Sequence, residues 1–111
     1  MCKFKVLEHS EHGFVALCKG CNILQIVCGN VAIIVNEPTF NAFVKMINQF
    51  ANEKQFVTDR ELRNIYLESP CRNMHLVFSA NELDMLNQLL SQASLLIQAQ
   101  KMLAQQANGC N

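Results

Sequence analysis

Apolar and polar positions alternate over residues 2–8, with Cys2, Phe4 and Val6 on one side and Lys3 and Lys5 on the other. A period of two with one apolar face predicts a half-buried strand. His9-Ser10-Glu11-His12-Gly13 is a turn, and Phe14 to Leu17 returns as a second strand. Ile23 to Cys28 predicts a third strand and Val31 to Val35 a fourth, joined by Gly29-Asn30, a tight hairpin signal. The fourth is apolar on both faces, which predicts a central position in the sheet. The period then becomes helical. Phe40, Phe43, Val44, Ile47, Phe50 and Ala51 recur on one face, and Asn41, Lys45, Asn48 and Asn52 on the other. Asn36 is placed to cap this helix, and Pro38 sits in its first turn, where a missing N–H costs nothing.

Periodicity lapses over 51–60. Leu62 to Ser69 then predicts a strand, Ser69 to Asn73 a turn, and Met74 to Phe78 the last strand. Ser79 and Glu82 have the spacing of a capping box, and the helix behind them meets no breaker before Asn108-Gly109. Residues 22–50 lie on residues 65–93 without a gap: Leu24 on Leu67, Cys28 on Cys71, Asn36 on Ser79, Phe40 on Leu83 and Gln49 on Gln92. The chain therefore reads as a single domain over 1–111. It comprises an N-terminal hairpin with a cysteine knuckle (1–21), a first ββα unit (22–52) and a second (62–107). The expected fold is α+β: a mainly antiparallel sheet of about six strands, built from a duplicated strand–turn–strand–helix unit, with both helices on one sheet face.

Composition narrows the function classes. The chain has 111 residues, 50% of them hydrophobic, enough for a core. Nine basic residues balance nine acidic ones, so the clustered basic excess of a nucleic-acid surface is missing. The N-terminal residues are interrupted by charge and do not read as a signal peptide, and no apolar run approaches the roughly 20 residues of a membrane span. A cytoplasmic location is expected, and with it reduced cysteines, six in all.

Cys18-Lys19-Gly20-Cys21 is the sharpest chemical feature. Such a turn places two thiolates within reach of one zinc ion, at a Zn–S distance of about 2.3 Å. Cys2 would lie opposite the knuckle if the first two strands pair through the turn, so Cys2, Cys18 and Cys21 form the candidate metal set, with Cys110 within conceivable reach on the tail. His9 and His12 fall at the far end of that hairpin, roughly 20 Å away. A plain pair of reduced thiols and a redox C-x-x-C are the competing interpretations. The strand expected after Cys21 argues against redox chemistry, because redox pairs usually sit at a helix N-terminus. Cys28 and Cys71 share the parity of Leu24 and Leu67 and are expected to be small core residues. His75, inside a strand, is expected to be a structural or surface histidine, and Asp59 and Arg60 are expected to be solvated. No nucleotide, zinc-protease or serine-hydrolase motif is present in the sequence.

Glu11-His12-Gly13-Phe14, Cys18-Lys19-Gly20-Cys21, the Gln25…Gly29-Asn30 strand and Asn81-Glu82-Leu83…Leu86-Asn87-Gln88-Leu89-Leu90 resemble a family of short uncharacterised proteins common in Bacteroidetes. The resemblance spans most of the chain. It implies a compact domain of unknown function, with no activity to carry over to any residue.

Two functions are therefore expected. The first is a non-catalytic structural or protein-interaction domain, zinc-stabilised at the knuckle and self-associating. The second is a small thiol-dependent redox protein using Cys18 and Cys21. Self-association is expected through the last helix, which is longer than the strands beneath it and carries a second apolar stripe including Leu89, Leu96 and Leu103.

Overall fold

The computed structural model describes residues 3–53 and 58–109, the last five by their backbone alone. Four strands, β1 (Lys5–Ser10), β2 (Gly13–Cys18), β3 (Ile23–Cys28) and β4 (Val31–Asn36), form one antiparallel sheet in the order β1-β2-β3-β4. Helix α1 (Glu37–Glu53) follows directly, then a separate two-stranded sheet of β5 (Ile65–Glu68) and β6 (His75–Phe78), and finally α2 (Ala80–Gly109).

Local chemistry sets each joint. Gly29, at φ 60°, supplies the positive dihedral at the first position of the two-residue β3–β4 turn. Gly13 opens β2 where backbones come closest: a Cβ there would lie 2.0 Å from the Val27 carbonyl oxygen, a clash no side chain survives unmoved. A bulge at Leu7 shifts the β1–β2 register between Val6 and Glu8 and turns Leu7 toward the core. Both helix caps form as the sequence predicts. The Thr39 N–H donates to Asn36 Oδ1 at 3.0 Å. The Glu82 N–H donates to Ser79 Oγ at 3.1 Å while the Ser79 N–H donates to Glu82 Oε1 at 2.9 Å, a closed capping box.

Both helices cover the same face of the four-stranded sheet. Cross-strand partners Val15, Ile26 and Ile33 make one inward row, and Leu24 and Val35 belong to the next. These side chains join Phe40, Phe43 and Ile47 of α1 and Leu83, Leu86, Leu90, Ala93 and Ile97 of α2 in one core. Each fully buried aliphatic or aromatic side chain of this set contributes about 1.5–3 kcal/mol relative to exposure. The helices run antiparallel, with Asn48 bonded to Asn87 and Glu37 paired with Lys101.

Three expectations are corrected. The sheet is not six-stranded: β5 and β6 pair only with each other and send Leu67, Leu76 and Phe78 into the shared core. The duplicated unit is not confirmed: both halves run strand, strand, helix, but their hairpin registers differ. The first-unit pairing Leu24–Val35 would set Leu67 opposite Phe78, whereas Leu67 pairs with Leu76. A slip of two keeps every side chain on its face. It follows from the turn, which has two residues in the first hairpin and a longer 69–74 loop organised by Ser69 in the second. There the Ser69 hydroxyl donates to the Met74 carbonyl at 2.7 Å and accepts from the Cys71 N–H at 3.0 Å. Finally, β4 is an edge strand, not a central one. Its second apolar face is exposed, with Ile34 at 59%.

Candidate functional site

The knuckle is the loop that joins β2 to β3. The Cys21 N–H donates to the Cys18 carbonyl at 3.3 Å, and Asn22 takes the left-handed conformation (φ 54°) that returns the chain into β3. The spacing of the two cysteines is thus the spacing of a hairpin turn. Their side chains differ in state and setting. Cys18 is a buried free thiol, 4% exposed, whereas Cys21 is exposed and disulfide-bonded. Cys18, Cys28 and Cys71 are all free, so the bond does not join Cys18 to Cys21. Cys2 and Cys110 lie outside the described residues. Zinc needs thiolates. A disulfide sulfur supplies none, so Cys21 could serve as a ligand only once reduced, and the expectation that all six cysteines are reduced is not met at Cys21; the Cys2, Cys18 and Cys21 set reaches outside the described residues. Among the described residues no three His, Cys, Asp or Glu side chains converge as a ligand set. His9 and Cys18 belong to opposite ends of the first hairpin, since His9 pairs with Phe14 and Cys18 with Ile23.

Polar chemistry concentrates instead where α2 begins. A pocket of about 100 Å³ lies between the turn ends of the four-stranded sheet and α2, with Gly13, Cys28, Phe78, Leu86 and Leu89 in its wall beside Arg63 and Glu82. Arg63 grips Glu82 with two nitrogens, Nε to Oε1 at 2.9 Å and a terminal nitrogen to Oε2 at 2.7 Å. Together with the bond from the Ser79 N–H, this guanidinium holds the Glu82 carboxyl down at about 2. Arg60 reaches Asn81 at 2.9 Å and Asp84 at 2.5 Å and stays exposed at the surface, as expected. Cys28 stands half-buried in the same wall, its thiol pushed up by burial and, second, by the charge of Glu82. It therefore stays protonated at neutral pH and lacks the thiolate that a nucleophile needs. Cys71, expected in the core beside it by parity, is exposed in the 69–74 loop, because the slipped register ends β5 at Glu68. His75 is exposed, as expected.

The Arg63–Glu82 clamp escaped sequence reasoning. The two residues stand far apart in sequence, and neither period nor motif marks Arg63. The one available signal was Glu82 itself, a capping-box carboxylate whose second oxygen still needed a partner.

The fold is thus an α+β layer, a four-stranded antiparallel sheet under two helices with a small second hairpin. Among the described residues no helix is long and apolar enough to cross a membrane. The chain belongs to the family of unknown function DUF6686, whose model matches residues 1–109. No curated protein and no solved structure matches it.

The clamp sets a pH dependence. Glu82 is depressed in the fold, from 4.5 to about 2, so its stabilisation is complete above the unfolded value and is lost as pH falls through that window. Glu82→Ala should cost about 1 kcal/mol or more at pH 7 through the lost cap. The difference from wild type should shrink toward zero at pH 2 in urea denaturation. An equal difference at both pH values would contradict the assignment.

The two knuckle cysteines should separate on substitution. Under oxidising conditions Cys21→Ser removes a disulfide, typically about 2–4 kcal/mol, and reductant should abolish its difference from wild type. Cys18→Ser places a hydroxyl in a buried site, about 1–3 kcal/mol, with no sensitivity to reductant. Equal effects in reductant, together with zinc lost from both variants, would instead establish a shared metal.

Proposed function

We propose that this chain is a non-catalytic protein-interaction domain that works as a homodimer through the C-terminal half of α2. One observation carries the proposal. Leu95, Leu96, Met102 and Leu103 are exposed (61, 38, 62 and 66%) and, with exposed Ala99, share one side of the helix. Positions 95, 96, 99, 102 and 103 follow the spacing of a single apolar stripe. It points away from the stripe that ends at Ile97 in the core. Leu89, expected to belong to the contact, is only 3% exposed and serves the chain's own core, because α2 there lies over β1 and β2.

A second copy suits this surface. The stripe itself carries no charged residue, and Lys101, on the core side of the helix, is paired with Glu37 of its own chain, so two such stripes meet without facing like charges. Side chains at 95, 99 and 102 alternate by four and three, the spacing with which helices interlock. Eight leucine and methionine side chains, four from each copy, would leave water at about 1.5–3 kcal/mol for each one fully buried. A non-catalytic role accords with the polar groups near α2, where Glu82 is committed to its cap and to Arg63 and Cys28 is held as a thiol.

Thiol–disulfide chemistry at the knuckle is the second reading, favoured by the disulfide at Cys21. Against it, β3 follows the turn, so no helix N-terminus stabilises a thiolate there.

Leu96→Glu with Leu103→Glu tests the dimer. Both residues are exposed, so the fold should be retained by circular dichroism while the mass in sedimentation equilibrium falls by half. An unchanged mass, or a wild type already monomeric at tens of micromolar, would refute it.

A further inference from the structure

The disulfide at Cys21 has a partner that the other described cysteines do not supply, since Cys18, Cys28 and Cys71 are free thiols. The chain has six cysteines, so the partner within it is Cys2 or Cys110, both outside the described residues. The described neighbours of each decide between them. β1 and β2 are antiparallel, with Lys5 opposite Leu17. From that pair, the chain ahead of β1 and the chain leaving β2 run the same way, toward the knuckle. Counting on in register, Cys2 falls opposite Gly20, next to Cys21. Paired antiparallel strands hold facing Cα atoms about 4.5–5.5 Å apart, and a disulfide needs about 4.4–6.8 Å. Cys110 fails the same comparison. α2 starts beside Gly13 and Gly29, at the other end of the sheet. It reaches the knuckle end at Lys101, whose partner Glu37 follows Asn36, the cross-strand neighbour of Ile23. The helix then continues to Gly109. From Lys101 to Gly109 it advances about 12 Å, which carries Cys110 farther past the knuckle than a disulfide spans.

We infer that Cys21 is bonded to Cys2, and that this bond is a redox-sensitive staple on β1, closed by a small-molecule disulfide such as oxidised glutathione and opened by the reduced thiol. β1 is the strand with most to gain from it. It is an edge strand that pairs with β2 alone, and Leu7 is the one of its residues that packs against the core. The 10–13 turn fixes one end of the strand, and the staple fixes the other. Cys21 is exposed, and exposed disulfides are the ones that exchange readily with thiols in solution. Closure takes two steps. The Cys21 thiolate attacks one sulfur of oxidised glutathione, and one glutathione leaves as its thiolate. The Cys2 thiolate then attacks the Cys21 sulfur of the mixed disulfide, and the second glutathione leaves. Two protein thiols are oxidised, one glutathione disulfide is reduced to two glutathiones, and the two thiol protons pass through solvent to the leaving thiolates. Cys18, a buried free thiol, takes no part, so the couple is not the C-x-x-C pair. The staple is also independent of the α2 contact.

The test is peptide mapping of the full chain equilibrated in oxidised or reduced glutathione, with free thiols alkylated in denaturant before trypsin. In the oxidised buffer, peptide 1–3 should be joined to peptide 20–45, with Cys18, Cys71 and Cys110 alkylated. Peptide 20–45 holds both Cys21 and Cys28, and the link should persist in Cys28→Ser. In hydrogen exchange, amides of β1 should exchange about tenfold faster or more in reduced glutathione, while those of β3 and β4 keep their rates. Cys2→Ser and Cys21→Ser should each show the faster β1 rates in either buffer, and Cys110→Ser should behave as wild type. Peptide 102–111 joined to 20–45, a species of twice the chain mass in denaturant without reductant, or alkylation of all six cysteines in the oxidised buffer would overturn the bond. A Cys2–Cys21 link whose reduction leaves β1 exchange unchanged would overturn the staple.

Discussion

One stripe of α2 holds the molecule together. Leu83, Leu86, Leu90, Ala93 and Ile97 reach the core that also contains the inner face of the first sheet, the buried stripe of α1 and the inner side of the second hairpin. A two-stranded sheet of four-residue strands is at best marginal alone. It persists because Leu67, Leu76 and Phe78 share that core, and because Arg60 and Arg63 tie the chain before β5 to the first turns of α2. The same helix is longer than its core requires. Thirty residues extend about 45 Å, while six-residue strands span roughly 20 Å. The part beyond Ile97 therefore presents leucine and methionine to solvent instead of to the sheet.

Burial on one side only has a second consequence. Both helices took the same face of the sheet, so the other face is left to carry its own apolar residues. Val6 and Ile34 at the edges of that face, 50% and 59% exposed, and the stripe at the end of α2 reach solvent as a result. The stripe lacks the charges that a nucleic acid or an anionic ligand would need, and the acid and base beside the α2 pocket are engaged with each other.

Much of the fold was legible because it rests on local rules. The alternation in Phe14 to Leu17, the Gly29-Asn30 turn, the Asn36 cap and the Ser79–Glu82 box each act within a few residues, and each stands where the pattern puts it. The α2 stripe was legible for the same reason. Strand neighbours were not. Val31 to Val35 is apolar on both sides, which reads as central when burial is assumed, yet it lies at an edge with Ile34 in solvent. The internal likeness between 22–50 and 65–93 follows parity and caps but not hairpin register, since the turn length at 69–74 sets which residues meet. At the knuckle, the Cys18–Cys21 spacing correctly marked a turn. What it could not reveal was which way each sulfur faces or its oxidation state, and these decide whether the pair can hold a metal. Arg63 was invisible because its partner is brought near only by the fold.

The division of α2 into a core half and a contact half is the central claim, and amide hydrogen exchange along that helix tests it most directly. Amides over 83–97 should be slow and insensitive to protein concentration, since their protection comes from the chain's own core. Amides over 98–104 should slow markedly as concentration rises through the association range, and should lose that dependence in Leu96→Glu with Leu103→Glu. Fast exchange over 98–104 at every concentration, or equal protection of both halves in dilute protein, would contradict the account.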